Sequence, residues 1–135
     1  SVANSRKPAI SVVVALLTPL LSVPVFNQVD SVRPDSFVRV TRVGGPRKNI
    51  VTDGPMLTFE CWDNVSAEGL AMKVADLLED SPGSFVTYTD DDGNPQDAWI
   101  SSWEEVGAPT QHPDPDVDYQ DRWVLTARLG ISTNI

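Results

Sequence analysis

Residues 37–78 limit the fold more than any other part of the chain. Phe37-Val38-Arg39-Val40-Thr41-Arg42-Val43 and Met56-Leu57-Thr58-Phe59-Glu60-Cys61-Trp62 are both rich in β-branched and aromatic residues, and both are bounded by turn formers. Each therefore predicts a strand. Asn64 or Ser66 then stands where a helix cap is wanted, ahead of Ala67, Leu70, Ala71, Val74, Leu77 and Leu78, which recur at helical spacing. A strand–loop–strand–helix unit of this kind calls for α+β architecture.

The rest of the chain extends that reading. Pro8 suits a first helical turn, and Ile10, Val13, Val14, Leu17 and Leu21 predict one apolar helix face, ended or kinked by Pro19. Arg6-Lys7 ahead of this apolar run has the look of a secretory signal. No small-x-small cleavage site follows, and the run is shorter than the roughly 20 residues needed to cross a membrane, so a core helix is expected and no membrane partner. Residues 23–29, broken by Pro24, predict an edge strand or extended connector. Residues 85–89 and 98–106 predict two strands around Asp90-Asp91-Asp92-Gly93-Asn94-Pro95, a strong turn signal. The last strand is the clearest, with Trp123, Leu125, Ala127, Leu129 and Ile131 in strict alternation.

At 135 residues a single domain is expected, spanning residues 1–135. The expected fold is a mostly antiparallel sheet of about five to six strands, with two helices packed on one face. Loops at 44–55, 90–97 and 107–121 are expected to project from it. The second helix should run over residues 66–80.

Ten basic against 19 acidic residues give a net charge of −9, which argues against a grip on nucleic acid, since that needs cations to neutralise phosphates. The charge is uneven. Residues 33–48 are locally basic, and acid gathers at 79–80, 90–97 and 114–121. The pairing this suggests joins Arg39, Arg42, Arg47 and Lys48 of one copy to Asp90, Asp91, Asp92 and Asp97 of another. Solvated charge on loops is the plainer alternative.

Residue sets that carry chemistry are sparse, and no catalytic, cofactor-binding or metal-binding residues are assigned. Cys61 is the only cysteine and lies in an apolar strand pattern, where it reads as a small core residue rather than a nucleophile. The only histidine, His112, sits in a proline-rich segment ill suited to holding a base in place. Asp90, Asp92 and Asp97 resemble part of a calcium loop, but no glutamate closes the frame, and Asp-Gly and Gly-Asn also simply make turns. Gly44-Gly45-Pro46-Arg47-Lys48 leads into a strand rather than a helix, so it lacks the context of a phosphate loop. Four tryptophans are many for this length. Trp99 and Trp103 share a strand face by parity, and either core packing or a subunit contact explains them.

Residues 37–45, then Asp53-Gly54-Pro55 with the strand that follows, the Ala67…Leu70-Ala71…Val74 helix and the closing Arg122-Trp123…Thr126 strand resemble the tail terminator family of long-tailed bacteriophages, especially those of actinobacterial hosts. The likeness spans nearly the whole chain and rests on packing and turn residues, not on a catalytic signature. It implies a structural, non-enzymatic virion protein in the neck of the tail, assembled in the host cytoplasm. Such proteins form a six-membered ring that caps the tail tube, stops its polymerisation and offers the filled head a docking face. The implied partners are other copies of the chain, the tail tube protein and the head-tail connector proteins. DNA would pass through the ring without specific binding, and no cofactor is implied. Two other readings stay open: a monomeric protein-binding module acting through residues 44–55, and a small hydrolase or nuclease using Asp90, Asp92 and Asp97 with a divalent ion. Another neck protein of the same phages, a head-completion or head-tail connector protein, is an alternative beside the binding module.

Overall fold

The computed structural model describes residues 5–134. Helix α1 (Ala9–Leu17) passes into a 3₁₀ turn at Thr18–Leu20, where Pro19 has no N–H to continue the α ladder. Strands β1 (Val25–Phe26), β2 (Ser36–Arg42), β3 (Thr52–Asp53) and β4 (Met56–Asp63) follow, then α2 (Glu68–Glu79), β5 (Ser84–Thr89), β6 (Pro95–Gln111) and β7 (Asp121–Ser132). The fold is α+β, with seven strands in one sheet.

The strands lie in the order β1-β2-β4-β7-β6-β5, and β3 pairs with β7 as an extension of β4's line. The sheet is mixed rather than mostly antiparallel, because β1 joins β2 in parallel, while the other pairings are antiparallel. The strand beyond the expected count is the short β3, and β1, expected as an edge strand or connector over residues 23–29, is short as well. Pro24 precedes the two-residue β1, and β3 is two residues set off by the Gly54-Pro55 corner.

Parity along the central strands sorts side chains into two layers. Val38 and Val40 of β2, Leu57, Phe59 and Cys61 of β4, and Leu125, Ala127, Leu129 and Ile131 of β7 form one buried face. Val12, Val13 and Leu17 of α1 join them, as do Ala71, Val74 and Leu78 of α2. Both helices therefore cover the same face of the sheet. Each large side chain buried there contributes on the order of 1.5–3 kcal/mol. The buried stripe of α1 is not the expected one: Val12 is fully enclosed, while Ile10, Val14 and Leu21 are half-buried. A helix that is apolar all round cannot announce which stripe faces the sheet.

Three further expectations need correction. The 44–55 segment does not simply project. Its second half is drawn onto the sheet by β3, and Asp53, Gly54 and Pro55 are buried. The 107–121 segment is strand as far as Gln111, because β6 stays paired with β7 through three register shifts. The shift between Ile100 and Ser102 also puts Trp99 and Trp103 on opposite faces. Trp103 packs against the core opposite Leu129, whereas Trp99 meets Phe85 on the outer face. One inserted residue reverses strand parity.

Helix α2 is capped from a distance rather than by Asn64 or Ser66. The Ala67 N–H donates to the Asp121 carboxylate at 2.8 Å, while Asp63 accepts from the N–H groups of Val65 and Ser66. Among the described residues no helix is long and apolar enough to cross a membrane.

Candidate interaction surfaces

The face of the sheet away from the helices carries the second parity set. Arg39 of β2 stands opposite Glu60 of β4, and Arg122 of β7, opposite Trp62, is Glu60's diagonal neighbour on the same face. Glu60 accepts from Arg39 Nη1 at 3.3 Å and from Arg122 Nε at 3.2 Å, so one nearly enclosed carboxylate is held between two guanidinium groups. At the end of the sheet where β2 and β7 begin, Phe26, Phe37 and Trp62 stack with centroid spacings of 5.2 and 6.0 Å. The Arg33 guanidinium lies 4.5 Å from the Trp62 ring and 5.1 Å from Phe37, and the Arg122 guanidinium lies 5.4 Å from Trp62. Aromatic faces attract cations in this way while shielding the rings from water.

Gln120 ties the loops at this end together. It is buried, accepts from Arg33 Nε at 2.9 Å, and donates to the Pro34 carbonyl and to Asn64 Oδ1. Asn64 in turn donates to Asp35. The loops before β2, after β4 and before β7 thus form one unit, with Val32, Val65 and Tyr119 exposed on it. Exposed acid surrounds those residues, at Asp30, Asp35, Glu68, Asp116 and Asp118.

The opposite end is built differently. Asp53 is fully buried and accepts from Arg6 Nε and Arg42 Nη2, both at 3.2 Å, and from the Gly54 N–H. This carboxylate joins the segment before α1, the end of β2 and the β3 corner. Arg128 of β7 donates to the carbonyls of Gly54 and Pro46, which folds the 44–51 turn over the outer face. Lys48 Nζ then reaches Ser102 Oγ at 2.9 Å. Gly45 makes the turn possible. Its φ is +89°, and a Cβ there would meet the Gly54 carbonyl and the Met56 N–H.

The β5–β6 turn lies at this same end, beyond the last residues of β7. Asp90 accepts from the N–H groups of Asp92 and Asn94 and from Gln96, and Asp97 accepts from Thr87. The hydrogen bond from Asn94, then that from Gln96, holds the Asp90 carboxyl below its ordinary range. Asp91 and Asp92 are exposed.

The eight charged residues singled out in the sequence are thus not one patch. Arg39 and Arg42 occupy opposite faces of β2 and hold carboxylates of their own chain, at Glu60 and Asp53. Arg47 is half-buried in its turn. Lys48 forms no ion pair among the described residues, and with Asp91, Asp92 and Asp97 it is what that set offers to the outside. Sequence reading missed the Arg33 stack, the Gln120 tie and the Glu60 clamp. Glu60 did leave a signal, being a lone acid inside an apolar strand whose parity sets it opposite Phe59 and Cys61.

Cys61 is buried, and burial first, with Glu60 beside it second, pushes its thiol up to about 12. His112 sits in a loop beside Arg122, with its Nδ1 3.3 Å from Nη1. Among the described residues no group of three or more His, Cys, Asp or Glu side chains converges as a metal-ligand set. The geometry defines an α+β protein with one helix-covered face, one open face, and two ends of unlike chemistry. No protein-family model matches the chain, and no curated protein shows significant similarity to it.

Proposed function

We propose that this chain is the ring-forming terminator of a bacteriophage tail, a structural rather than catalytic part of the virion neck. The observation that carries the reading is the unlikeness of the two sheet ends. One end presents Val32, Val65 and Tyr119 within exposed acid, and the other presents the basic 44–51 turn and the 90–94 turn. A terminator must bind a tube of one composition on one side and head-side connector proteins on the other, so it needs two unlike axial faces. With the strands along the ring axis, the two sheet ends become those faces.

The lateral seam follows from the same geometry. A closed ring joins one patch to a different patch on its neighbour. Lys48, seated over Ser102, and the Asp91-Asp92 turn, beyond Pro95, are unlike patches on different parts of the sheet, and we assign them to the contact between adjacent copies. The net charge of −9 suits a channel that DNA traverses without adhering. The resemblance of the sequence to tail terminators supplies the remainder: about six copies, the tail tube protein as partner, and assembly in the host cytoplasm.

Reconstitution tests this directly. Purified tail tube protein is polymerised with and without this chain, and tube lengths and ends are scored by negative-stain electron microscopy. Shorter tubes of uniform length carrying a ring at one end are expected. Unchanged lengths with bare ends at saturating protein would overturn the reading.

A further inference from the structure

We propose that the free edge of β5 is a self-complementary strand-addition site, through which two copies of this chain pair antiparallel about Thr87. The pairing is independent of the ring reading, because a two-fold contact joins like patches whereas a ring joins unlike ones.

Strand edges stand open on β1, β6 and β5, and they differ in how they are protected. β1 is two residues long and follows Pro24. β5 covers β6 only over residues 95–100, so residues 101–111 form a second open edge. That length is broken by three register shifts and carries Glu104, Glu105 and Pro109. Bulges, charges and proline are the usual means by which an edge is kept from pairing with another chain. β5 has none of these, and α1, which packs against it, leaves Phe85, Thr87 and Thr89 exposed. Its six residues, Ser-Phe-Val-Thr-Tyr-Thr, contain no charge, proline or glycine, and they hold unbroken register with β6. Among the described residues no backbone group from beyond β6 bonds to residues 85–89. Phe85 is 66% exposed, although its ring meets Trp99 at 5.0 Å.

The occupant follows from the strand's own pattern. Antiparallel pairing about Thr87 sets Val86 against Tyr88 of the second copy on the helix-covered face, and Phe85 against its Thr89 on the outer face. Both are aromatic or β-branched cross-strand combinations that stabilise sheets. Charge selects the direction. An antiparallel pair places each 90–94 turn beside the other copy's Ser84, whereas a parallel pair would set the two acidic turns together. Each copy carries −9, so association should strengthen as salt screens the repulsion.

The test uses the full chain. Sedimentation equilibrium at moderate salt should show a reversible two-copy species. Thr87→Lys places two ammonium groups face to face across the axis. Within its own chain the new lysine gains Asp97, which now accepts from Thr87 at 2.9 Å, so the single copy should keep its circular dichroism spectrum and melting temperature. A dimer dissociation constant raised at least about tenfold is expected, since like charges directly opposed are destabilising. Thr87→Cys gives a second readout. Opposed strand residues stand about 4.5–5.5 Å apart at Cα, which suits a disulfide. Mild oxidation should therefore cross-link Thr87→Cys far faster than Val65→Cys, a control at an exposed loop position. The buried native Cys61 should not compete. A single-copy mass at all concentrations, or a dimer that Thr87→Lys leaves unchanged, would overturn the proposal. Six-copy rings unaffected by Thr87→Lys would overturn it and leave the ring reading standing.

Discussion

Replacing Glu60 by glutamine keeps the shape of the side chain and removes the charge that two arginines share. The two partners are not equivalent. The Arg39 side chain is 39% exposed, so water screens its contact, and a pair of that kind contributes about 0–1 kcal/mol. The Arg122 side chain is 21% exposed and lies against Trp62, so its charge-assisted bond belongs in the range of about 1.5–3 kcal/mol. The amide of glutamine still accepts one hydrogen bond, which returns part of the loss. A net destabilisation of about 2 kcal/mol is therefore expected for Glu60→Gln. For a 135-residue chain, with unfolding entropy near 2.1 cal/mol/K per residue, that lowers the melting temperature by roughly 7 °C. The assay is urea unfolding of Glu60→Gln, Arg39→Gln, Arg122→Gln and the two double variants. The cycle with Arg122 should give a clearly larger coupling than the cycle with Arg39. Equal couplings, or a Glu60→Gln protein as stable as the parent, would show that the clamp is a surface contact and that burial does not rank its halves.

Two further outcomes can be checked by the same unfolding measurements. Gly45→Ala should destabilise the chain beyond the roughly 1–3 kcal/mol of a strained backbone, because a Cβ at φ +89° also meets the Gly54 and Met56 backbone. Gly44→Ala, at φ +105° in open space, should show the strain alone, and equal losses at the two sites would refute the steric account. Acid should weaken the fold through three carboxyls held below their ordinary value of 3.8. Hydrogen bonds from the Val65 N–H at Asp63 and the Asn94 N–H at Asp90 lower those two. At Asp121 burial works upward but is outweighed by the bonds from Ala67, Gln111 and Trp123. A lowered folded-state value gives stability that is complete above the unfolded value and lost as pH falls through the folded one. Stability should therefore hold down to about pH 4 and drop below it, and a flat profile from about pH 5 to about pH 3 would contradict this.

Much of the fold was legible because it rests on short-range pattern. Alternation fixed the inward face of β7, and the 3.6-residue repeat fixed the buried stripe of α2, since both are periodic in sequence and each has one wet side. The α1 stripe was not legible, because a helix without a polar side leaves the choice of face to whatever packs against it. The parity of Trp99 and Trp103 failed at a single inserted residue. Composition cannot mark such a bulge, because it is set by how β6 and β7 share hydrogen bonds.

The candidate surfaces divide along the same line. The sequence by itself determined the approximate positions of both helices and the main strands, the acidic balance, and the presence of a basic 33–48 segment and an acidic 90–97 turn. Only the tertiary structure decided which of those charges face outward. Arg39 and Arg42 belong to one run of sequence, yet alternation sends them to opposite faces, where each meets a carboxylate from a strand brought near by pairing. Gln120, 86 residues from Pro34 along the chain, holds the loops at one end for the same reason. Local pattern dictates which way a side chain points. The partner it finds there depends on contacts between distant segments, and those exist only once the sheet has closed.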